Sequence, residues 1–135
     1  MTFSQVTKEP GLELFPTLSP DGKSIAYVRK SRGNWDIFLQ RVGGQNTTNL
    51  TADSSADDTQ PAFSPDGESI AFRSERDGGG IFVMGATGES ARRVIDSGYN
   101  PSWSPDGKYL VVGSETFIDN PAFRHAYSKL WVADI

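Results

Sequence analysis

The tetrapeptide Ser64-Pro65-Asp66-Gly67 occurs three times in this sequence of 135 residues. The other two copies begin at Ser19 and Ser104. Each copy lies three residues after a proline, directly after a large apolar residue, and shortly before an apolar run; the prolines are Pro16, Pro61 and Pro101. Three copies with the same surroundings indicate a repeated structural unit.

The order of residues within the tetrapeptide predicts a tight turn. Proline presets the backbone angle of the second position, aspartate tolerates the third, and glycine readily adopts the left-handed fourth. A turn of this kind joins two antiparallel strands. We therefore interpret Asp21, Asp66 and Asp106 as turn residues, although aspartates could also serve as acids or metal ligands.

The apolar runs around each turn predict four short strands per unit, which we name A, B, C and D. Strand A precedes the turn, and the B and C strands are apolar almost throughout, as in a sheet covered on both faces. Antiparallel four-stranded units with a period of about 40 residues are typical of propeller blades. The predicted strands span 14–18, 24–29, 36–41 and 47–51, then 60–63, 69–73, 80–84 and 91–95, then 99–103, 109–113 and 129–134.

The sequence thus predicts one all-β domain over residues 1–135, a β-propeller with three blades' worth of strands. The repeats are approximately 8–51, 52–95 and 96–135. The segment 3–6 resembles a strand D and would complete another blade. The third repeat has no strand D, and it carries an insertion between its B and C strands.

Composition excludes several classes of function. The chain has no cysteine, so it can form neither disulfides nor thiolate metal sites. The net charge is −4 and no basic stripe is present, so we expect no nucleic-acid partner. No run of about 18 apolar residues occurs, so we expect no direct insertion into a membrane.

The motifs of common catalytic and cofactor sites are also absent from the sequence. It contains no G-x-S-x-G, no H-E-x-x-H and no G-x-x-x-x-G-K-[ST]. The acidic stretch 53–58 lacks the glycine and closing glutamate of an EF-hand, and is interpreted as a solvated loop. We therefore predict no catalytic residue, metal or cofactor within this chain.

The repeated unit P-x-[FWL]-S-P-D-G-x-x-[IL]-A-[FY], followed by a polar loop and D-I-[FY]-[VL], resembles the WD-like propeller repeat of TolB-type proteins. The resemblance implies a β-propeller, commonly six-bladed, of a family frequent in bacteria. It implies a non-catalytic platform that binds a protein or a small ligand, and favours an extracytoplasmic (periplasmic) location. Similar repeats also form accessory propellers of larger enzymes, namely serine/threonine kinases and serine peptidases, which is the alternative function.

The resemblance further implies that the B–C and D–A loops share the face that receives partners. The residues expected there are Arg32, Asn34, Trp35, Arg76 and Asp77, together with Phe117, Phe123, Arg124, His125 and Tyr127 of the insertion 115–128. Other roles remain open for some of them. Trp35 is expected to be half packed, Arg76 could bridge to a neighbouring blade, and the aromatic residues of the insertion could cap the third blade.

The sequence departs from the family pattern at Gly80, in the insertion of the third repeat, and in its length. Gly80 occupies the position that Asp36 holds in the first repeat. Three blades are also too few to close a ring, for which roughly four are needed. We hypothesise a homodimer that forms a six-bladed ring, in which residues 3–6 of each chain complete the third blade of the other. The alternative is a piece cut from a longer propeller chain.

Overall fold

The structure, a computed structural model, describes residues 1–114 and 128–135. Within these ranges eleven strands form three antiparallel sheets, and each sheet is a meander of consecutive strands. The strands are β1 (Glu13–Leu18), β2 (Ser24–Ser31), β3 (Asn34–Arg41), β4 (Thr47–Asn49), β5 (Asp58–Phe63), β6 (Ser69–Ser74), β7 (Gly80–Gly85), β8 (Arg92–Ile95), β9 (Tyr99–Trp103), β10 (Tyr109–Gly113) and β11 (Leu130–Asp134).

We call the sheet of β1 to β4 blade 1, that of β5 to β8 blade 2, and that of β9 to β11 blade 3. Strand β5 contacts both β1 and β9, so neighbouring sheets approach each other at their first strands. This arrangement confirms the predicted propeller of antiparallel blades. In the described ranges blades 1 and 2 have four strands, whereas blade 3 has three.

The three tetrapeptides form the same hydrogen-bonded turn. The glycine φ values are 71°, 74° and 74°, and each glycine N–H donates to the carbonyl of the turn's serine at 2.8–2.9 Å. Each serine hydroxyl donates to the turn's aspartate at 2.5–2.6 Å and accepts the backbone N–H five residues further on. The hydrogen bond from the serine hydroxyl lowers the pKa of Asp21, Asp66 and Asp106, and a hydrogen bond from a backbone N–H is the second-largest cause of this lowering. These bonds are the turn role that the sequence predicts.

Four strand boundaries differ from the prediction by two residues: the end of β2, the start of β3, the end of β4 and the start of β5. β3 begins at Asn34, two residues before Asp36, because the β2–β3 ladder continues as far as the pair Ser31 and Asn34. β4 ends at Asn49, two residues before the predicted end. There the Asn49 side-chain oxygen accepts the backbone N–H of Thr51 at 3.0 Å, which bends the chain away from the ladder.

Residues 3–6 form no strand in this structure. A strand needs a neighbour with free backbone groups, and β3, the strand that the segment approaches, is already paired with β2 and β4. The contact is instead a side-chain one: the Gln40 Nε2 donates to the Val6 carbonyl at 2.7 Å. The idea that these residues complete another blade stays a prediction.

Two hydrophobic cores lie between the blades. Ile70 and Phe72 of β6 face blade 1 and pack with Ala26, Val28 and Ile37. Ala71 of β6 faces blade 3 and packs in the core that contains Ile81, Val83, Leu110 and Val112. Successive residues of β6 therefore enter different cores, which explains why residues 70 to 72 in the middle of the strand are all apolar.

A bulge occurs at the same position of each blade's first strand. The residue before the repeated proline has positive φ in all three blades: 52° at Phe15, 56° at Gln60 and 52° at Asn100. The ladder register shifts at these points. Positive φ is uncommon for residues other than glycine, so the bulge is a strained feature that the repeat maintains.

Candidate binding face

One end of the blades gathers the loops that the sequence assigns to partner binding. We define the loop face as the β2–β3 turn at residues 32–33, the β6–β7 turn at 75–79, and the linkers 50–57 and 96–98. Asp57 joins the first two loops: its carboxylate accepts a hydrogen bond from the backbone N–H of Trp35 at 2.9 Å, and its carbonyl accepts one from the backbone N–H of Glu75 at 2.9 Å. The loops of blades 1 and 2 are therefore held in one rigid arrangement.

Asn34 takes part in holding the loops in place. Its Nδ2 donates to the Asp36 carboxylate at 2.6 Å and to the Ala56 carbonyl at 3.2 Å. Asp36 is buried and also accepts from Asn49 Nδ2 at 2.7 Å. The amide of Asn34, expected to face a partner, is thus engaged within the chain.

Arg76 contacts both polar and apolar residues of blade 2. Its Nη2 lies 3.1 Å from Asp58 Oδ2, and its Nε donates to Ser74 Oγ at 2.9 Å. The guanidinium also lies 5.6 Å from the ring centre of Phe72 and 5.5 Å from that of Phe82, within cation–π range. Both rings belong to the core facing blade 1. All of these partners belong to blade 2 itself, so the alternative that Arg76 bridges to a neighbouring blade stays a prediction.

Asp58 is the most deeply buried carboxylate of this network, with no exposed surface. Burial raises its pKa, while the hydrogen bond from Ser74 and the charge of Arg76 act in the opposite direction. Its Oδ1 has no hydrogen-bond partner. A charge that is desolvated more than it is compensated favours the protonated form.

Two residues that join blade 2 to blade 3 were not among the predicted site residues. Arg73 makes a bidentate pair with Glu75 at 2.7 and 2.8 Å, donates to the Gly98 carbonyl at 3.1 Å, and lies 4.4 Å from the ring centre of Tyr99. Gln60 Oε1 accepts the Asn100 N–H at 2.7 Å. A signal did exist for Arg73, which is a charged residue within an apolar strand B where the first repeat has Val28.

The pKa values of Arg73 and Glu75 shift in the directions that keep both side chains charged. The hydrogen bond from Arg73 lowers the pKa of Glu75, and the hydrogen bond to Glu75 raises the pKa of Arg73. The glutamate side chain is half exposed, so water screens part of this interaction. The pair positions loops and has no group poised for proton transfer.

Among the predicted residues that lie within 1–114, Arg32 and Asp77 are the two that are exposed. Both are exposed at loop tips, and both have left-handed backbones, with φ of 54° and 51°. The Asp77 carbonyl accepts a hydrogen bond from Arg93 Nη2, which anchors its loop. Their side chains are therefore displayed on fixed backbones.

Trp35 lies half-buried in a groove of about 420 Å³ at the blade 1 side of the loop face. Leu12, which is 62% exposed, contributes an apolar wall. The Lys30 Nζ lies 5.4 Å from the centre of the indole ring. We call this feature the Trp35 groove; it is lined by Glu9, Pro10, Gly11, Leu12, Arg29, Lys30 and Trp35.

The remaining predicted residues, Phe117, Phe123, Arg124, His125 and Tyr127, lie outside the described residues, and their role stays a prediction. Among residues 1–114 and 128–135, no group of three or more carboxylate or histidine side chains could hold a metal ion. No helix in the same two ranges is long and apolar enough to cross a membrane.

Comparison with known proteins places this geometry among propellers. A solved structure of a putative TolB from Agrobacterium tumefaciens superposes with a TM-score of 0.78 at 29% identity, covering 94% of this chain and 46% of that one. TolB from Acinetobacter baumannii superposes with a TM-score of 0.76 at 25% identity, covering 96% of this chain and 32% of that one.

One curated relative is a much longer protein than this chain. Dipeptidyl-peptidase 5 from Porphyromonas gingivalis is 39% identical over 139 aligned residues, which cover 90% of this chain and 19% of the peptidase. This chain therefore spans about a fifth of that relative's length. The TolB β-propeller domain family matches residues 2–126, and the chain belongs to this family.

Proposed function

We propose that this chain is a non-catalytic binding module, and that its Trp35 groove takes an extended peptide segment of a protein partner. The observation that carries the proposal is a half-exposed indole in a concave groove beside an exposed leucine. Exposed aromatic residues in grooves are frequent energetic anchors of protein interfaces.

The charges of the groove indicate the chemistry of the segment. Arg29 and Lys30 line it, against one carboxylate, that of Glu9. A peptide that combines apolar side chains with carboxylates would place the apolar groups against Trp35 and Leu12 and the acids near the two cations. Such complementarity favours acidic partners and disfavours basic ones.

The strand side of the groove is held in place by backbone hydrogen bonds. The backbone N–H of Trp35 donates a hydrogen bond to the Asp57 carboxylate, and β3 pairs with β2 along its whole length. A site fixed in this way loses little conformational entropy on binding, so that more of the contact energy appears as affinity.

The test uses two labelled peptides, one of alternating leucine and glutamate and one of alternating leucine and lysine, followed by fluorescence anisotropy. We expect the acidic peptide to bind, Trp35→Ala to weaken it at least tenfold, and Lys30→Ala to weaken it several-fold. Lys108→Ala, in a turn at the opposite end of the blades, is the matched control and should bind as the unaltered chain does. Equal binding of both peptides, or equal losses for Lys30→Ala and Lys108→Ala, would overturn the proposal.

A second candidate is an accessory propeller of a larger serine peptidase, which the 39% identity to dipeptidyl-peptidase 5 favours. The catalytic residues would then lie in a separate domain. Reading the coding sequence on either side decides the matter: a flanking segment with the nucleophile elbow G-x-S-x-G supports the peptidase, and open flanks without one contradict it.

We also propose an extracytoplasmic location, on the basis of the TolB resemblance. Fractionation of the source cells, with detection of the natural protein by an antibody, tests it. Recovery with cytoplasmic markers alone would contradict this location.

A further inference from the structure

The dipeptide Asp-Gly occurs four times in the chain, and one copy lies outside the repeated turns. Three copies supply the last two residues of the tetrapeptides, whereas Asp77 and Gly78 belong to the loop between β6 and β7. In an Asp-Gly pair the aspartyl carboxyl reacts readily with its own backbone, because glycine has no side chain to hinder the following nitrogen. All four copies therefore share a reaction that the local structure either allows or blocks.

The three turns hold both reacting groups in place. In each, the aspartate Oδ1 accepts hydrogen bonds from the serine hydroxyl at 2.5–2.6 Å and from a backbone N–H two residues further on at 2.9–3.1 Å. The glycine N–H donates to the serine carbonyl, and a paired strand begins two residues after the glycine. Reaction in a turn therefore requires that the turn first opens locally.

The carboxylate of Asp77 has none of these restraints. It belongs to an exposed residue, and no hydrogen bond or ion pair reaches it within residues 1–114 and 128–135. The backbone of Asp77 is left-handed, with φ of 51° and ψ of 37°, which is uncommon for a residue with a β-carbon. A β-carbon on Gly78 would meet nothing within 4 Å, so neighbouring atoms leave room for this peptide to rotate toward the side-chain carbon of Asp77.

We propose that Asp77 is a site of spontaneous isoaspartate formation, with water as the only co-reactant. The Gly78 nitrogen bonds to Cγ of the protonated Asp77 side chain, and its proton leaves with the carboxyl hydroxyl as water. The product is a cyclic succinimide. Water then opens the ring at one of its two carbonyl carbons. Attack at Cγ restores aspartate; attack at the former backbone carbonyl breaks its bond to the Gly78 nitrogen, which takes the proton, and the chain then runs through Cβ and Cγ.

Arg93 favours the second way of opening the ring. Its Nη2 donates a hydrogen bond to the backbone carbonyl oxygen of Asp77, on the carbon whose hydrolysis gives isoaspartate. Negative charge develops on that oxygen when water adds, and a hydrogen bond from a guanidinium stabilises it. After ring opening the same carbon is a free carboxylate, so the hydrogen bond becomes a charge-assisted one. Isoaspartate is therefore the favoured product.

The modification changes the loop face without changing the final mass of the chain. One methylene enters the backbone of the β6–β7 turn, and the negative charge of residue 77 moves to the carbon that Arg93 contacts. Glu75 of the same turn pairs with Arg73 and donates its N–H to the Asp57 carbonyl. The change thus occurs in a loop that connects blades 1 and 2, at a residue that the sequence assigns to partner binding.

Mass spectrometry of the incubated protein tests the site. The folded chain is kept at neutral pH and digested with a glutamate-specific protease, which releases residue 77 in the peptide 76–89, and electron-transfer fragments distinguish isoaspartate from aspartate. We expect about tenfold more isoaspartate at Asp77 than at any turn aspartate, since the turns must first open. In urea all four sites should react alike. Equal rates in the folded chain, or the same preference for Asp77 in urea, would overturn the proposal.

Two neighbouring arginines of β8 test the direction of ring opening. In water enriched in oxygen-18 each opening adds one label, so labelled isoaspartate and labelled aspartate count the two outcomes. Arg93→Ala removes the hydrogen bond to the Asp77 carbonyl, and the ratio of isoaspartate to aspartate should fall several-fold. Arg92→Ala, an exposed residue of the same strand that lines a cleft beside the turns, is the matched control and should keep the parent ratio. An unchanged ratio in Arg93→Ala, or an equal fall in both variants, would contradict the role of Arg93.

Discussion

The two outward faces of the three-blade arc differ in what covers them. On blade 1, Tyr27 and Phe38 are only 2% and 5% exposed; their rings stack at 6.2 Å, and the Arg29 guanidinium lies 4.1 Å from the centre of the Phe38 ring. On blade 3, Leu130 and Val132 are largely exposed. The same kind of apolar strand is closed at one end of the molecule and open at the other.

This difference shows that burial in a propeller depends on the neighbour. Ile81 and Leu130 hold the same position of strand C in blades 2 and 3, yet their exposures are 0% and 77%. Their sequences predict equal burial, since both lie in apolar runs. The contribution of each residue to stability should therefore depend on whether a neighbouring sheet buries it, and less on which apolar residue it is.

The largest expected effect comes from this pair. Ile81→Ala removes a fully buried side chain and should lower the free energy of unfolding by about 2–5 kcal/mol. Leu130→Ala should change it by no more than about 0.5 kcal/mol, because its side chain is 77% exposed. Urea unfolding curves of both variants measure this, and equal losses would contradict the open-face description.

A second contrast sets Gly80 of blade 2 against Asp36 of blade 1. Gly80 has a φ of 133°, and a β-carbon there would stand 2.3 Å from the Ile95 carbonyl oxygen. Gly80→Asp restores the residue of the first repeat, yet backbone strain alone should destabilise the fold by about 1–3 kcal/mol, and the clash with Ile95 adds to that loss. Thermal unfolding is the measurement. The control Gly78→Asp has open space at its β-carbon, so it carries the strain of positive φ without the clash and should lose less.

The serines of the second and third turns differ in burial. Ser64 is 4% exposed, and Ser64→Ala leaves the Ser69 N–H without its acceptor, which should cost about 1 kcal/mol. Ser104→Ala breaks the same bonds where water can replace them, so its loss should be smaller. Loss of the Ser64 hydroxyl should also raise the pKa of Asp66 toward its ordinary value, as carbon-13 NMR titration would show. An unchanged Asp66 pKa would contradict the assigned cause.

The smallest expected effects concern pH, and the two kinds of aspartate should act in opposite directions. The lowered pKa of Asp66 means that its stabilising contribution is present above 3.8 and lost as pH falls through the folded-state value. The raised pKa of Asp58 means that the fold holds its proton more tightly than the unfolded chain does, so its contribution improves as pH falls from the folded-state pKa toward 3.8.

The variant Asp58→Asn separates these contributions. Relative to the parent, it should lose the gain of stability on acidification, while the loss from the turn aspartates below pH 3.8 remains. Unfolding curves recorded at a series of pH values check this. A steeper gain on acidification in the variant would show that the ion pair with Arg76 outweighs the burial of Asp58.

Much of the fold was predictable because its signals are local. The turn residues interact within five positions of one another, and β9 and β10 begin and end where the sequence predicts. The candidate site was less predictable. Of the residues expected on the loop face, Asn34 and Arg76 are engaged in bonds within the chain, whereas Arg32 and Asp77 are exposed.

The bonds that join blades connect residues far apart in the sequence. Arg73 reaches Gly98, 25 residues away, Gln60 reaches Asn100, 40 away, and Trp103 Nε1 reaches the Ala62 carbonyl, 41 away. No local pattern specifies these partners, because each depends on how two sheets are stacked. The left-handed bulge before each repeated proline was likewise invisible as a conformation, although the prolines themselves marked its place.

By itself, then, the sequence determined the repeat, the turns, the strands and the family, since all of these rest on short-range backbone preferences and apolar spacing. Only the tertiary structure decided which apolar strands are covered and where the buried carboxylate of Asp58 lies. The physical reason is that burial is a property of neighbouring sheets. The residues of an apolar strand indicate that another sheet can pack on it, but only the tertiary structure shows whether one does.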